Sequence, residues 1–310
     1  PPVQPPHRKN YADSKVTIVC IAKRVLDSEA GRVLRYHDSN GERMIVTQRG
    51  VFAWNPDDDV LETLYNSHTQ WTCAAFGGEA REGLVCGQAD GDLSVLQLRG
   101  RGMQTLSGHN GAICSLAMNQ NTVASGGSDG SVRLWNTTSG SSATVFQSLE
   151  SVTALEFSPQ SDVLAAAFDS GTLRVWKLLP SPEYSREPPQ TQWEWQLARH
   201  HLWIKALAVA PGGNALASGG YDATVRIWAL RTGHEMQSFA LPHSVSSLAF
   251  APDNRTLCGA SERQIFLWDS WTGQPIANFA VPQAVDALHF GADALLTVAA
   301  GREIGLWRVL

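Results

Sequence analysis

The sequence predicts an all-β chain closed into a ring of seven four-stranded units, and three observations carry that prediction. A short apolar strand ending in tryptophan recurs at Trp54, Trp135, Trp176, Trp228, Trp268 and Trp307, with Leu96 filling the one gap. The spacings between these seven marks are 42, 39, 41, 52, 40 and 39 residues, close to the roughly 40 that four strands and their turns require. A segment of type V-x-x-L-x-F precedes five of those strands, at Ile113 to Met118, Val152 to Phe157, Ile204 to Val209, Val245 to Phe250 and Val285 to Phe290. Both kinds of segment are rich in Val, Ile, Leu, Phe and Trp with period-two alternation, which suits pleated strands and not the paired helices of a solenoid.

The elements follow in chain order. Residues 1–12, opening Pro1-Pro2-Val3-Gln4-Pro5-Pro6, read as a Pro-rich linker or tail of a longer multidomain chain. Residues 13–310 read as a single seven-bladed propeller. The run 15–23, Lys15 to Lys23, has no partners nearby, while the last unit ends three residues after Trp307 with its fourth strand missing. Pairing the N-terminal strand with the last blade satisfies both edges and closes the ring. The one long spacing comes from residues 179–190, a Pro-rich insertion in blade four that falls before an outer strand at Thr191 to Leu197.

Composition narrows the function. With 43% hydrophobic residues the chain affords a large core, and no stretch approaches the roughly 18 apolar residues of a membrane span. A net charge of −5 without runs of one sign leaves no footprint for nucleic acid. Cys20, Cys73, Cys86, Cys114 and Cys258 form no CxxC pair, so they read as small buried thiols of an intracellular protein, cytoplasmic or nuclear, in a reducing compartment.

Two repeats carry a fuller signature: Gly108-His109, Ser125, Asp129 and Trp135-Asn136 in one, and His200, Ser218, Asp222 and Trp228 in the other. With these marks the chain resembles the WD40-repeat β-propeller family over residues 13 to 310. The resemblance implies that His109, Ser125, Asp129 and Trp135, and likewise His200, Ser218, Asp222 and Trp228, join in structural hydrogen-bonded tetrads. Imidazole suits such a role because it bridges a carboxylate and a hydroxyl, and the hydroxyl meets the indole N–H. At the turn-Asp position, six residues before the marked strand end, the other repeats have Gln48, Asp90, Ser170, Glu262 and Gly301. Only two blades can complete a tetrad, so apolar burial must hold most of the ring, at roughly 25 cal/mol per Å2.

No enzyme is expected, and no cofactor or metal. Ser125, His109 and Asp129 have the composition of a nucleophilic triad, but a hydroxyl shared with Trp135 is buried rather than presented to a substrate. His200-His201 lacks a third ligand. The Gly126-Gly127 and Gly219-Gly220 runs precede strands rather than helices, and read as small residues lining the inner strands.

Binding is the expected function, with protein or peptide partners. The resemblance implies a top face made by the loops leading into the first strands and the turns before the Trp strands. There the sequence places Trp203, Tyr221, Arg263, Glu262, His201, Gln88, Lys205 and Asp90, while Trp71 opens its strand as a core residue. A second group, Trp193 and Trp195 on the outer strand of blade four with Trp271 in a turn, suggests a lateral or bottom site. Trp228-Ala229-Leu230-Arg231 is similar to the Trp-Asp-x-Arg ending of ubiquitin-ligase substrate receptors but lacks the Asp. The expected function is a non-enzymatic protein-interaction scaffold, a rigid platform in a multiprotein complex. The alternative is a receptor for a short or modified peptide in the central top pocket, including a ubiquitin-ligase substrate-receptor role.

Overall fold

The computed structural model describes residues 18–26, 32–39, 42–77, 83–97, 102–160, 162–179, 190–197, 200–291 and 293–309. The predicted tail 1–12 lies outside them, as does nearly all of the insertion at 179–190. The described residues form seven antiparallel four-stranded sheets. Strand β1 is Ile18–Val25. Blade 1 holds β2 (Val33–Ser39), β3 (Glu42–Thr47), β4 (Gly50–Asn55) and β5 (Val60–Asn66). Blade 2 holds β6 (Trp71–Gly77), β7 (Gly83–Gln88), β8 (Leu93–Gln97) and β9 (Gly102–Leu106), and blade 3 holds β10 (Ile113–Asn119), β11 (Thr122–Gly127), β12 (Ser131–Asn136) and β13 (Ser142–Gln147). Blade 4 is β14 (Val152–Phe157), β15 (Val163–Phe168), β16 (Leu173–Leu178) and β17 (Thr191–Gln196). Blade 5 is β18 (Ile204–Val209), β19 (Ala215–Gly220), β20 (Thr224–Ala229) and β21 (Glu235–Ala240). Blade 6 is β22 (Val245–Phe250), β23 (Thr256–Ser261), β24 (Gln264–Asp269) and β25 (Pro275–Ala280). Blade 7 takes β26 (Val285–Phe290), β27 (Leu295–Ala300) and β28 (Glu303–Val309), and its fourth strand is β1.

The ring closes through that last sheet. β1 pairs with β28 from Ile18 opposite Val309 to Val25 opposite Glu303, so the pairing runs two residues past the end of the predicted 15–23, of which 15–17 lie outside the described residues. Arg43 of blade 1 also donates to Asp293 of blade 7 at 2.7 Å, across 250 positions of sequence. The marked Trp and Leu96 all fall on third strands, where six of the seven are buried and Trp307 is half-buried.

Every first strand breaks register after its opening residue, as at Ile113/Ser115, Ile204/Ala206 and Val285/Ala287. A bulge leaves one residue unpaired and re-aims it. Here the unpaired residues, Cys114, Lys205 and Asp286 among them, line a central channel of about 500 Å3.

Among the described residues tetrads hold only blades 3 and 5, and blades 2, 4, 6 and 7 use aromatic packing across blade boundaries. The outer-strand residue opposite the start of each third strand is Tyr65, Leu106, Phe146, Leu197, Phe239 and Phe279 in blades 1 to 6. It is Leu before each tetrad blade, where Leu106 packs with Trp135 and Leu197 with Trp228. It is aromatic before four blades that lack a tetrad. Phe146 meets Trp176 at 5.7 Å, Phe239 meets Trp268 at 5.1 Å, Phe279 meets Trp307 at 4.9 Å, and Tyr65 stacks on Trp71 at 5.8 Å. Such pairs add about 0.5–1.5 kcal/mol beyond their area. In blade 1 Leu26 packs on Trp54, whose indole instead donates to Asp59 at 3.1 Å.

Candidate functional site

In blade 3 the Trp135 indole donates to Ser125 Oγ at 2.7 Å, and Ser125 Oγ lies 2.6 Å from His109 Nε2. Because the indole can only donate, the serine proton goes to Nε2, which leaves the His109 proton on Nδ1 facing Asp129 at 3.1 Å. Blade 5 repeats the chain with Trp228, Ser218, His200 and Asp222 at 2.8, 2.7 and 2.9 Å. A fifth member, a second hydroxyl, joins each: Ser131 donates to Asp129 and Thr224 to Asp222, both at 2.8 Å, and each also meets the histidine Nδ1. These stand two residues after the turn Asp, a spacing at which a hydroxyl folds back on an Asx turn. The missing Cβ at Gly127 makes room for this network, since an added one would sit 2.5 Å from Asp129 and 2.6 Å from His109. The glycine therefore serves the tetrad in a second strand, not the lining of the inner strands.

Burial lowers both histidine pKa values below the ordinary range and outweighs the raising effect of their aspartates. Burial alone would raise Asp129, but N–H groups of Asn110 and Ser131, the Ser131 hydroxyl and His109 hold it at about 2. The pairs are thus neutral imidazole with carboxylate at neutral pH. Ser125 and Ser218 are fully buried, so neither hydroxyl is open to a substrate. Among the described residues no group of His, Cys, Asp or Glu is placed to hold a metal, and no helix is long and apolar enough to cross a membrane.

On the top face three exposed apolar side chains cluster on blade 5, while Leu149 at the entry to blade 4 and Val25 at the end of β1 stand singly. Leu202, Trp203 and Tyr221 are 52, 55 and 51% exposed, and the rings of Trp203 and Tyr221 meet edge to face at 5.9 Å and 74°. Backbone pairing fixes this contact, because the Tyr221 N–H donates to the Trp203 carbonyl at 2.8 Å. His201 and Lys205 flank the patch, both exposed. On blade 6, Glu262 and Arg263 form the exposed turn, and Glu262 faces His243 at 3.7 Å.

Three expectations change. Gln88 is buried rather than presented: it stands at the Gly127 position of a blade without a tetrad and donates to Ser94 Oγ at 2.9 Å. Trp193, Trp195 and Trp271 do not share one site, because blade 5 stands between the outer strand β17 and the turn holding Trp271. Trp195 is half-buried, the side chain of Trp193 lies outside the described residues, and the Trp271 indole caps the Asn254 carbonyl at 3.4 Å. The thiols divide: Cys86 and Cys258 are buried and Cys73 is half-buried, but Cys20 and Cys114 are exposed. Burial pushes Cys73 up to about 12. Trp71 is core, as the sequence implies.

Sequence reading also missed a charge pattern. The turns of blades 1, 6 and 7 are Gln48-Arg49, Glu262-Arg263 and Gly301-Arg302. All three arginines are exposed, and none has a carboxylate partner among the described residues. The corresponding turns of blades 2 to 5 carry Asp90, Asp129, Asp169 and Asp222. An Arg directly after a degenerate turn residue was the available signal. Only ring closure makes blades 6, 7 and 1 neighbours.

The WD domain, G-beta repeat family matches residues 100–136, 140–177, 193–229 and 233–269. The Periodic tryptophan protein 2 homolog of Dictyostelium discoideum is 35% identical over 147 residues, 45% of this chain and 15% of the relative. Eukaryotic translation initiation factor 3 subunit I of Emericella nidulans is 26% identical over 173 residues, 53% of this chain and 51% of the relative. The chain thus spans about half or less of the length of these relatives. In the crystal structure of RRP9 WD40 repeats, a chain 16% identical superposes with a TM-score of 0.79, covering 96% of this chain and 100% of its own. In that of the Mitotic Checkpoint Complex the TM-score is 0.77 at 18% identity, with 99 and 97% covered. Matched repeats, seven four-stranded blades and Trp-ended third strands agree: the chain belongs to the WD40-repeat β-propeller family.

Proposed function

We propose that this propeller is a non-enzymatic scaffold that holds protein or peptide partners on its top face, as a rigid module of a larger protein or multiprotein complex within the cytoplasm or nucleus. The observation that carries this reading is the Trp203–Tyr221 pair, two aromatic rings more than half exposed and locked in place by backbone pairing. Aromatic side chains pre-ordered on rigid elements are the residues on which interfaces concentrate their binding energy. Most of the other tryptophans are spent on architecture, which makes an exposed one informative. The similarity to Eukaryotic translation initiation factor 3 subunit I, a protein named as one subunit of a larger factor, supports the reading.

A second reading, capture of a short or modified peptide in the central pocket of the top face, draws on Lys205 lining the channel near its top end and on Asp90, Glu262, Tyr221 and Trp203 around it. The test is affinity purification from the native source with wild type and a Trp203→Ala, Tyr221→Ala double variant. The scaffold reading expects specific partners that the double variant loses. An identical set of co-purifying proteins for both would remove the top-face form of it.

A further inference from the structure

The ring brings together on one arc what the sequence keeps apart. Going around the top from blade 5, the apolar pair Trp203 and Tyr221 is followed by Arg263 on blade 6, Arg302 on blade 7 and Arg49 on blade 1. Glu262 lies in the same arc but faces the imidazole of His243. Between blades 7 and 1 the surface sinks into an open depression of about 400 Å3, flanked by Arg302 and Arg32. Arg32 faces Asp286 at 3.7 Å, and that carboxylate also accepts from the Gly301 N–H at 2.8 Å. The guanidiniums of Arg49, Arg263 and Arg302 have no such partner among the described residues. Across the ring, Asp90 and Asp169 give the turns of blades 2 and 4 the opposite sign.

Resting on the scaffold reading, we infer that the top face takes an acidic partner segment, with an apolar side chain seated on Trp203 and Tyr221 and a run of Asp or Glu laid along Arg263, Arg302 and Arg49. Separation of charge across one face orients an extended ligand, because the wrong polarity puts like charges together. Arginine forks match carboxylates in pairs, which favours the acidic side chains of a peptide over a diffuse negative surface. The chain as a whole is acidic at −5, so the positive arc is a local feature and not a consequence of net charge.

The test is selection of random displayed peptides of about 12 residues on the purified chain, followed by fluorescence anisotropy of the winners. The inference expects winners with an aromatic or leucine residue beside at least three acidic ones. It expects affinity to fall about tenfold or more in Arg263→Gln, Arg302→Gln and to weaken steeply with salt, while Arg231→Gln on the opposite face changes nothing. Circular dichroism and the melting curve of each variant establish that it is folded. Winners without an acidic run, no winners at all, a double variant within about twofold of wild type, or an RNA oligonucleotide that displaces the peptides would each overturn it. Neutral winners lost in Trp203→Ala would end this inference and leave the scaffold reading standing. Native partners that ignore the top face altogether would end both.

Discussion

Phe239 of blade 5 lies flat against Trp268 of blade 6, with ring centroids 5.1 Å apart and planes 5° from parallel. Blade 6 has no tetrad, and Trp268 rests over Gly259, where a Cβ would come within 2.9 Å of the indole. The aromatic ring from the preceding blade thus holds a tryptophan that a hydrogen-bond network holds in blades 3 and 5. Phe239→Leu is expected to cost about 1–3 kcal/mol, from the lost pair and incomplete refilling. Leu197→Phe is expected to cost a similar amount for the opposite reason, because the space beside Trp228 is already filled. Urea unfolding midpoints of the two variants check both.

Ser125→Ala leaves the Trp135 indole and His109 Nε2 buried without their shared partner. A loss of about 2–4 kcal/mol is expected, since each orphaned buried group costs about 1–3. Ser218→Ala is expected to match it, and a loss under about 1 kcal/mol in both would show that the tetrads contribute little.

The sign of the pH dependence follows from the lowered histidines. In the unfolded chain His109 and His200 return to an ordinary value near 6.5, so below it the unfolded state binds more protons. Stability is then present above about 6.5 and is lost as pH falls from there toward the folded values. Asp129, near 2 when folded against 3.8 otherwise, adds a further loss below about pH 4. Unfolding free energies measured from pH 8 to pH 5 should decline, and His109→Gln, His200→Gln should flatten that decline.

Much of this was legible in the sequence because a propeller repeats. The Trp-ended strands and the V-x-x-L-x-F segments mark third and first strands, since burial at both places demands the same side chains in every blade. Gln88 was misplaced for a related reason: its repeat lacks the tetrad, and whether a turn-edge glutamine points out depends on Ser94 across the sheet. The positive arc was hidden because Arg49 and Arg302 are neighbours only after β1 joins β28. Nor does composition reveal that Trp193 and Trp271 belong to blades with another between them.

Removing β1 should leave the outer edge of β28 unpaired and part the Lys23–Glu303 ion pair at 2.8 Å. A chain lacking residues 18–25 is expected to lose its cooperative melting transition or to aggregate. Melting like the full chain would mean that the ring holds with three strands in blade 7.

Ala223 adopts φ 57° at a turn position where blades 2, 3 and 4 have Gly91, Gly130 and Gly171 at φ 95, 75 and 83°. Ala223→Gly relieves a left-handed alanine, worth about 1 kcal/mol, against some added freedom in the unfolded chain. A melting temperature equal to or slightly above wild type is expected, where a typical surface Ala→Gly change lowers it.

Hydrogen–deuterium exchange on the chain with and without a co-purified partner tests the central claim most directly. The account predicts protection at residues 200–205 and 219–224, around Trp203 and Tyr221, with the outer strands β5 to β25 unchanged. Protection confined to the outer strands or to the opposite face around Trp271 would contradict it.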